Sequence, residues 1–329
     1  MIEILITGAL NTVQDQGRRG ALKWGVGTSG ALDDLALSAG NILLGNDAHA
    51  AGIEIQVFPF QARFTADCAF AITGADCQAL LDDRPLPPWW VQTARAGQIL
   101  NLRIPQQGAW RASRSYLCLA GGVDVPVVLG SRSTQLRGAF GGLDGRELRN
   151  GDRLQTGAAS SVARRTNFGL NPPALDLPLM VNDLPAVRVL PAAEYAHYTE
   201  AAHHALWNEA WKITPHSNRY GFRLQGTPLD RLAPIETRSH GIVPGVIQVP
   251  PNGQPIVQMR DAQPSGGYPK IGVVIAADLW RLGQAPIGSR IRFIKTCWSE
   301  AIAAEEQTTR WLADARYLAD LHGDRAGGR

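Results

Sequence analysis

Three segments of this chain share one punctuation: Ala96-Gly97-Gln98-Ile99, Asn150-Gly151-Asp152-Arg153-Leu154 and Ile287-Gly288-Ser289-Arg290-Ile291. Each sets a glycine and a polar residue directly before a run that alternates, as Ile291 and Phe293 do. Glycine supplies the backbone freedom that a tight turn needs, and the alternation has the period of a strand with one buried face. With 35 glycines and 21 prolines in 329 residues, turns are frequent throughout and short strands are favoured over long helices. Short strands with regular turns point to barrels or sandwiches. The punctuation recurs in both halves, so two similar β domains are expected, and the chain is long enough for each to bury its own core.

Ile2, Ile4 and Ile6 alternate and open the chain as a half-buried strand. Gly25-Val26-Gly27-Thr28-Ser29-Gly30 matches GxGxxG, yet no buried strand precedes it, and Asp33-Asp34 at the start of the next helix would repel a pyrophosphate. A glycine-rich turn into an N-cap at Asp33 is the better reading. Leu32, Ala36, Ala39 and Leu43 then share one helical face, and Gly45 ends the helix. Residues 157–185 are rich in Ala, Ser, Asn and Pro with little periodicity, as a linker would be. The fold read from this pattern is mainly β with minor α. A first β domain covers residues 1–160, a linker 161–186 and a second β domain 187–297; residues 298–329 form a C-terminal helix and disordered tail. A helical stretch over 194–211 carries His197, His203 and His204, whose spacing does not aim two ligands at one metal. In the tail, Trp311, Ala315 and Leu318 share a face that suits either its own domain or a second copy in a homo-oligomer.

Several function classes are excluded. A net charge of +3 is small for this length and the arginines are scattered, so no basic stripe for nucleic acid forms. Cys68, Cys77, Cys118 and Cys297 include no CxxC pair and no histidine at metal-ligand spacing, so neither a zinc site nor a disulfide framework is expected. The N-terminus lacks a secretory pattern and no run of about 18 apolar residues occurs, so a cytoplasmic chain without a membrane span is expected. GxxxxGK[ST] and HExxH are absent, and Ser29 fails GxSxG because Ala31 stands at the last glycine. If the process uses ATP, another polypeptide handles it.

Residues 245–288 concentrate the unusual chemistry. Two apolar runs, 246–249 and 256–259, flank Pro250-Pro251-Asn252-Gly253 and read as paired strands. Arg260-Asp261-Ala262-Gln263 follows, then Pro264-Ser265-Gly266-Gly267-Tyr268-Pro269-Lys270, a glycine loop stiffened by prolines. Residues 271–275 form a third apolar run, and Asp278 is placed to cap a short helix through Trp280 and Leu282. Polar side chains on a rigid loop between strands are how a site is presented on a scaffold. A tight turn whose polar groups satisfy one another, with Lys270 paired to Asp261, fits the same residues.

Four ordered blocks resemble one family. They are Ser29-Gly30-Ala31-Leu32-Asp33 with Gly45-Asn46 and Glu54; Tyr116 to Pro126 with Leu129-Gly130-Ser131-Arg132-Ser133-Thr134 and Gly141-Gly142-Leu143-Asp144-Gly145-Arg146; Ser217-Asn218-Arg219-Tyr220-Gly221-Phe222-Arg223-Leu224-Gln225-Gly226; and the 245–288 stretch with Ser239-His240-Gly241. Together they resemble the biotin-dependent carboxyltransferase A/B-subdomain family. The resemblance implies two tandem cyclophilin-like β-barrel domains. It also implies work beside partner subunits A and B in a complex that opens 5-oxo-L-proline to L-glutamate with ATP. Carboxyl transfer to urea or another amide, and a regulatory role antagonising a kinase inhibitor, are the family's alternatives. No Met-Lys biotin-attachment segment is present, and no cofactor is expected on this chain itself. Pro264 stands where relatives commonly carry the first of two threonines, which removes a hydroxyl and a backbone donor.

For an amide substrate the chemistry needs donors aimed at the oxygen that gains negative charge. The Gly266-Gly267 amides and Lys270 are expected to supply them, with Asp261 or Tyr268 handling a proton and Gln248 and Gln263 orienting the amide. Ser265 keeps a hydroxyl on the loop. Arg132-Ser133-Thr134 and Asn218-Arg219 are further candidates for a substrate carboxylate. Lysine occurs only at positions 23, 212, 270 and 295, so Lys270 is a distinctive choice in a chain that otherwise uses arginine.

Overall fold

The computed structural model describes residues 1–105, 112–159, 168–234 and 238–327, with side chains of the last helix described to residue 322. Residues 161–167 of the expected linker and 328–329 of the expected tail lie outside the described residues. The chain divides into two units: Met1–Arg18, Ser29–Leu177 and Arg310–Arg329 in the first, Arg19–Thr28 and Pro178–Thr309 in the second. It is mainly β with minor helices.

The three glycine turns are one structure repeated. Gly97, Gly151 and Gly288 sit at φ 92°, 90° and 88°. In each turn the residue after glycine donates back three positions, Gln98 to Arg95, Asp152 to Arg149 and Ser289 to Pro286, at 3.2, 3.1 and 3.1 Å. The glycine N–H then donates to a strand carbonyl, that of Phe64, Ile4 or Ile213, at 2.7, 2.7 and 2.8 Å. A positive φ at the third position of a turn is the reason for glycine. Nothing lies within 4 Å of a Cβ built at any of the three, so the constraint is conformational and not steric. Gly288→Ala is therefore expected to cost about 1 kcal/mol in urea unfolding, with Gly288→Asn recovering part of it because asparagine tolerates this region.

The first unit holds a seven-stranded and a five-stranded antiparallel sheet. The seven-stranded order is Val123–Asp124, Arg153–Thr156, Ile2–Ile6, Phe60–Phe64, Ile99–Leu102, Leu80–Leu81, Arg84–Pro85. The five-stranded order is Thr12–Gln14, Gly52–Ile55, Ser115–Leu119, Cys68–Gly74, Val91–Ala94. Strand Ser115–Leu119 shows how the layers form, because it is buried on both faces. Leu117 and Leu119 join Ile2, Ile4, Ile53, Phe60, Phe64 and Phe70 in the core shared by the two sheets. The alternate residues Tyr116 and Cys118 pack on Ala36, Leu37, Ala39 and Leu43 of helix Asp34–Leu44. Asp33 caps that helix by accepting from the Ala36 N–H at 2.9 Å, and Gly45 ends it at φ 64°, as the glycine and aspartate positions imply.

In the second unit seven strands close into a barrel. Leu184–Pro191, Lys270–Val274, Val246–Gln248, Ile256–Gln258, Gly221–Gln225, Ala210–Ile213 and Arg290–Lys295 follow one another, and the last pairs back with the first. The closing pair is parallel, Val187 opposite Phe293, and the rest are antiparallel. Trp211, Ile213, Phe222, Leu224, Ile291 and Phe293 are buried at alternate positions along their strands. The expected cap at Asp278 is not made. No side-chain cap bond forms at helix Leu279–Gln284. Instead the fully buried Asp278 carboxylate accepts from Arg188 N, Nε and Nη2 at 2.8, 2.9 and 2.7 Å and from Arg281 Nε at 3.1 Å. Two guanidinium groups compete better for a buried carboxylate than one helix N–H.

The tail is one helix, Trp298–Gly327. Its first part packs through Ala304 on Ile275 and Ala277 in the second unit, and its later part through Ala315 and Ala319 on Ile42 in the first. Leu318, expected on the buried face, is 51% exposed, since the small residues Ala315 and Ala319 set the contact stripe. Among the described residues no helix is long and apolar enough to cross a membrane, and all four cysteines are free.

Candidate functional site

The glycine loop is held at one end by a two-stranded ribbon and at the other by the barrel. Ser265–Gly266 pairs antiparallel with His240–Gly241, His240 opposite Gly266. Lys270 opens the next barrel strand opposite Gln248, where the register shifts. A Cβ on Gly266 would lie 2.6 Å from Gln248 Nε2, so a larger residue here must push the Gln248 side chain aside. The consequence is a polar cluster against the barrel wall. Gln248 Nε2 donates to the Tyr268 carbonyl at 3.4 Å, and Gln258 Nε2 donates to Gln248 Oε1 at 2.9 Å. Gln263 Oε1 is buried without a hydrogen-bond partner among the described residues.

Lys270 is 5% exposed. Its Nζ donates to the carbonyl oxygens of Gly266 and Tyr268 at 3.2 and 3.1 Å and approaches His240 Nδ1 at 3.4 Å. Burial pulls its pKa below the ordinary lysine value, and the Glu194 carboxylate opposes that. His240 Nε2 in turn lies 3.9 Å from Glu194 Oε1. Tyr268 turns its ring outward, 49% exposed, and Ser265 is exposed beside it.

Asp261 takes no part in the Lys270 contacts. Its carboxylate is clamped by Arg219, Nε to Oδ2 at 3.0 Å and Nη2 to Oδ1 at 3.1 Å, with both side chains buried. The Asp261 N–H also donates to the Arg219 carbonyl at 2.9 Å. Arg219 and Asp261 thus pin the root of the loop to the 217–221 turn, in which exposed Asn218 accepts from the Tyr220 N–H at 2.8 Å.

The arginine block of the first unit is organised around Asp15. Ser131 Oγ and Ser133 Oγ both donate to Asp15 Oδ1, and the Arg132 N–H donates to Asp15 Oδ2. Thr134 Oγ1 donates to the Val13 carbonyl at 3.0 Å. Ser133 and Thr134 are fully buried, so their hydroxyls are spent on the fold. Arg132 differs. Its guanidinium is 3.9 Å from Asp124 and lines a cavity of about 300 Å³ with Asn46, His49 and Asp124. Glu54 and Tyr116 from the resembling blocks are also structural. Tyr116 Oη donates to Glu54 Oε2 at 2.7 Å and accepts from the Asp33 N–H at 2.8 Å, while the Leu32 N–H donates to Glu54 Oε2 at 2.8 Å. Burial, then the Glu54 charge, push the Tyr116 hydroxyl far above the ordinary tyrosine pKa.

Gln248, Gly266, Tyr268 and Lys270, expected at one site from the sequence, are brought together by the structure. Sequence reasoning misses His240, Glu194 and Gln258. His240 is visible only as part of Ser239-His240-Gly241, and nothing local marks Glu194, which reaches the cluster from the turn before Tyr195–His197.

Residues 24–295 match the family described as carboxyltransferase domain, subdomain A and B. The chain is 43% identical over 312 residues to the 5-oxoprolinase C subunit of Escherichia coli strain K12, covering 95% of this chain and 96% of that protein. It is 40% identical over 320 residues to the 5-oxoprolinase C subunit of Haemophilus influenzae, covering 97% and 99%. Among solved structures, urea amidolyase of K. lactis superposes with a TM-score of 0.85 at 26% identity, over 95% of this chain and 20% of that one. On these matches the chain belongs to the family of carboxyltransferase domains built from subdomains A and B.

Proposed function

We propose that this chain is the C subunit of an ATP-dependent 5-oxoprolinase, an enzyme component acting in a complex that opens 5-oxo-L-proline to L-glutamate. The observation that carries the reading is identity of 43% and 40% along essentially the whole length of two bacterial 5-oxoprolinase C subunits. Subunits A and B are its partners, and ATP is handled by the complex, since no phosphate-binding glycine motif occurs on this chain. In this reading the protein works in the cytoplasm, and its two units are tandem cyclophilin-like barrels.

The Lys270 loop is the part of the site that this chain contributes. Opening a lactam loads negative charge onto its carbonyl oxygen, and a fixed cation in a water-poor setting stabilises that charge. Lys270, nearly buried and held by the Gly266 and Tyr268 carbonyls, is such a cation. Gln248 and Gln263 supply amide groups that orient a planar amide, and Tyr268 and Ser265 stand at the rim. Asp261, bound to Arg219, acts through the position of the loop. Arg132 on the first unit's cavity and Asn218 remain available to a carboxylate.

A second reading, carboxyl transfer to urea or another amide, is favoured by the superposition on urea amidolyase. The two separate in one experiment. The chain is co-purified with its partner subunits, and ATP hydrolysis is measured with 5-oxo-L-proline or urea as the second substrate. Stimulation by 5-oxo-L-proline alone is expected; stimulation by urea alone would transfer the chain to the second reading.

A further inference from the structure

An ammonium group has three protons to donate, and those of Lys270 are matched by three acceptors: the Gly266 carbonyl, the Tyr268 carbonyl and His240 Nδ1. Two of these belong to the backbone of the loop. The third is a ring nitrogen on a side chain 49% exposed, and at 3.4 Å it is the longest contact of the three. An amide oxygen that is to take a hydrogen bond from Lys270 must displace one of them, and His240 is the one free to move.

His240 Nδ1 also meets a conflicting demand. It lies 3.0 Å from the Arg238 carbonyl oxygen. A carbonyl only accepts, so a bond there needs a proton on Nδ1, whereas a bond from Lys270 needs a lone pair on the same atom. Glu194 Oε1, 3.9 Å from Nε2 and on a side chain 15% exposed, favours a proton on Nε2. Lys270 and Glu194 therefore select the Nε2–H tautomer, and the Arg238 carbonyl selects the Nδ1–H tautomer. Among the described residues, these groups and the carbonyls of Gly266 and Tyr268 are what face the Lys270–His240 pair.

We propose that His240 is a positioning residue that holds the third donor of Lys270 while the site is empty and releases it to the ligand by changing tautomer. In the empty site the ring carries its proton on Nε2 and accepts from Lys270. When an amide oxygen takes that bond, Nε2 gives its proton to water, directly or by way of Glu194, which ends as carboxylate again; Nδ1 takes one proton from water, so no net proton is gained or lost, and the ring donates to the Arg238 carbonyl. The ring is neutral before and after, and Lys270 keeps its charge. The ligand half of this proposal rests on the reading of Lys270 given above; the empty-site half rests on the Lys270 and Glu194 contacts together outweighing the shorter contact to the Arg238 carbonyl.

The test is ¹⁵N NMR of the histidine rings in the full-length chain at about pH 8.5, above the ordinary histidine range, with His240 assigned by the signal lost in His240→Asn. The unmodified chain is expected to show lone-pair Nδ1 and protonated Nε2 at His240. Lys270→Met is expected to convert most of that signal to the Nδ1–H form. The same tautomer in both proteins overturns the proposal. In the complex with partner subunits, saturating 5-oxo-L-proline is expected to drive the same conversion as Lys270→Met. A ring that responds to the mutation but not to 5-oxo-L-proline overturns the ligand-driven release. Turnover of the Lys270→Met complex judges the role of Lys270 separately.

Discussion

Replacing Lys270 with methionine is expected to lower 5-oxo-L-proline-dependent turnover of the reconstituted complex by at least about 10²-fold, the usual loss when one donor to a developing oxyanion is removed. Methionine keeps most of the stem and removes the charge, so the loop loses its cation without gaining a large cavity. The fold is expected to survive for a reason that the acidity of Lys270 supplies. Burial lowers its pKa from the ordinary 10.5. Between the folded-state and unfolded-state pKa values the unfolded chain then binds more protons, so stability rises with pH across that window, which ends near the unfolded value. Below the window the desolvated charge is a standing cost, and methionine removes it. Methionine also removes the donor to the Gly266 and Tyr268 carbonyls, which offsets that gain, so at neutral pH the mutant is expected to stay folded and to melt close to the parent. Turnover with 5-oxo-L-proline and a thermal melt check both halves. Full turnover with an unchanged melt would remove Lys270 from the mechanism.

Asp261→Ala is expected to have the largest effect on stability. The Arg219–Asp261 pair is buried and bidentate, at 3.0 and 3.1 Å. Removing the carboxylate leaves a guanidinium in a setting too dry to solvate it, which costs about 3–5 kcal/mol. In thermal unfolding that is a fall on the order of 10 °C in Tm. Turnover should fall as well, because the pair holds the root of the loop that carries Lys270. Asp124→Ala is the control. Asp124 is 3.9 Å from Arg132, with side chains 57% and 35% exposed, and an exposed pair is worth about 0–1 kcal/mol. If the two variants melted alike, the Arg219–Asp261 pair would not pin the root of the loop as described.

Local chemistry is legible in the sequence and long-range partnership is not. The turns at Gly97, Gly151 and Gly288 are readable because the need for a positive φ is written within four residues. The Asp33 cap and the Gly45 stop are readable for the same reason. The barrel closes through a parallel pairing of Leu184–Pro191 with Arg290–Lys295, and nothing in either strand names the other. The carboxylates show the same limit. Asp278, one residue before its helix, reads as a cap, but Arg188, 90 residues away, binds it. Asp261 reads as a proton handler, and Arg219, 42 residues away, holds it. His240 reaches Lys270 across 30 residues, so the polar loop is visible while the ring that completes it is not.

The presence of only four lysines makes the Lys270 loop directly testable in the working complex. The assembled enzyme would be acylated with a lysine-selective reagent, with and without saturating 5-oxo-L-proline, and each of the four sites quantified by peptide mass spectrometry. Protection of Lys270 by 5-oxo-L-proline but not by urea, with Lys23, Lys212 and Lys295 unchanged, is the predicted result. Equal modification of Lys270 in the presence and absence of 5-oxo-L-proline would contradict the proposal that the amide meets this chain there.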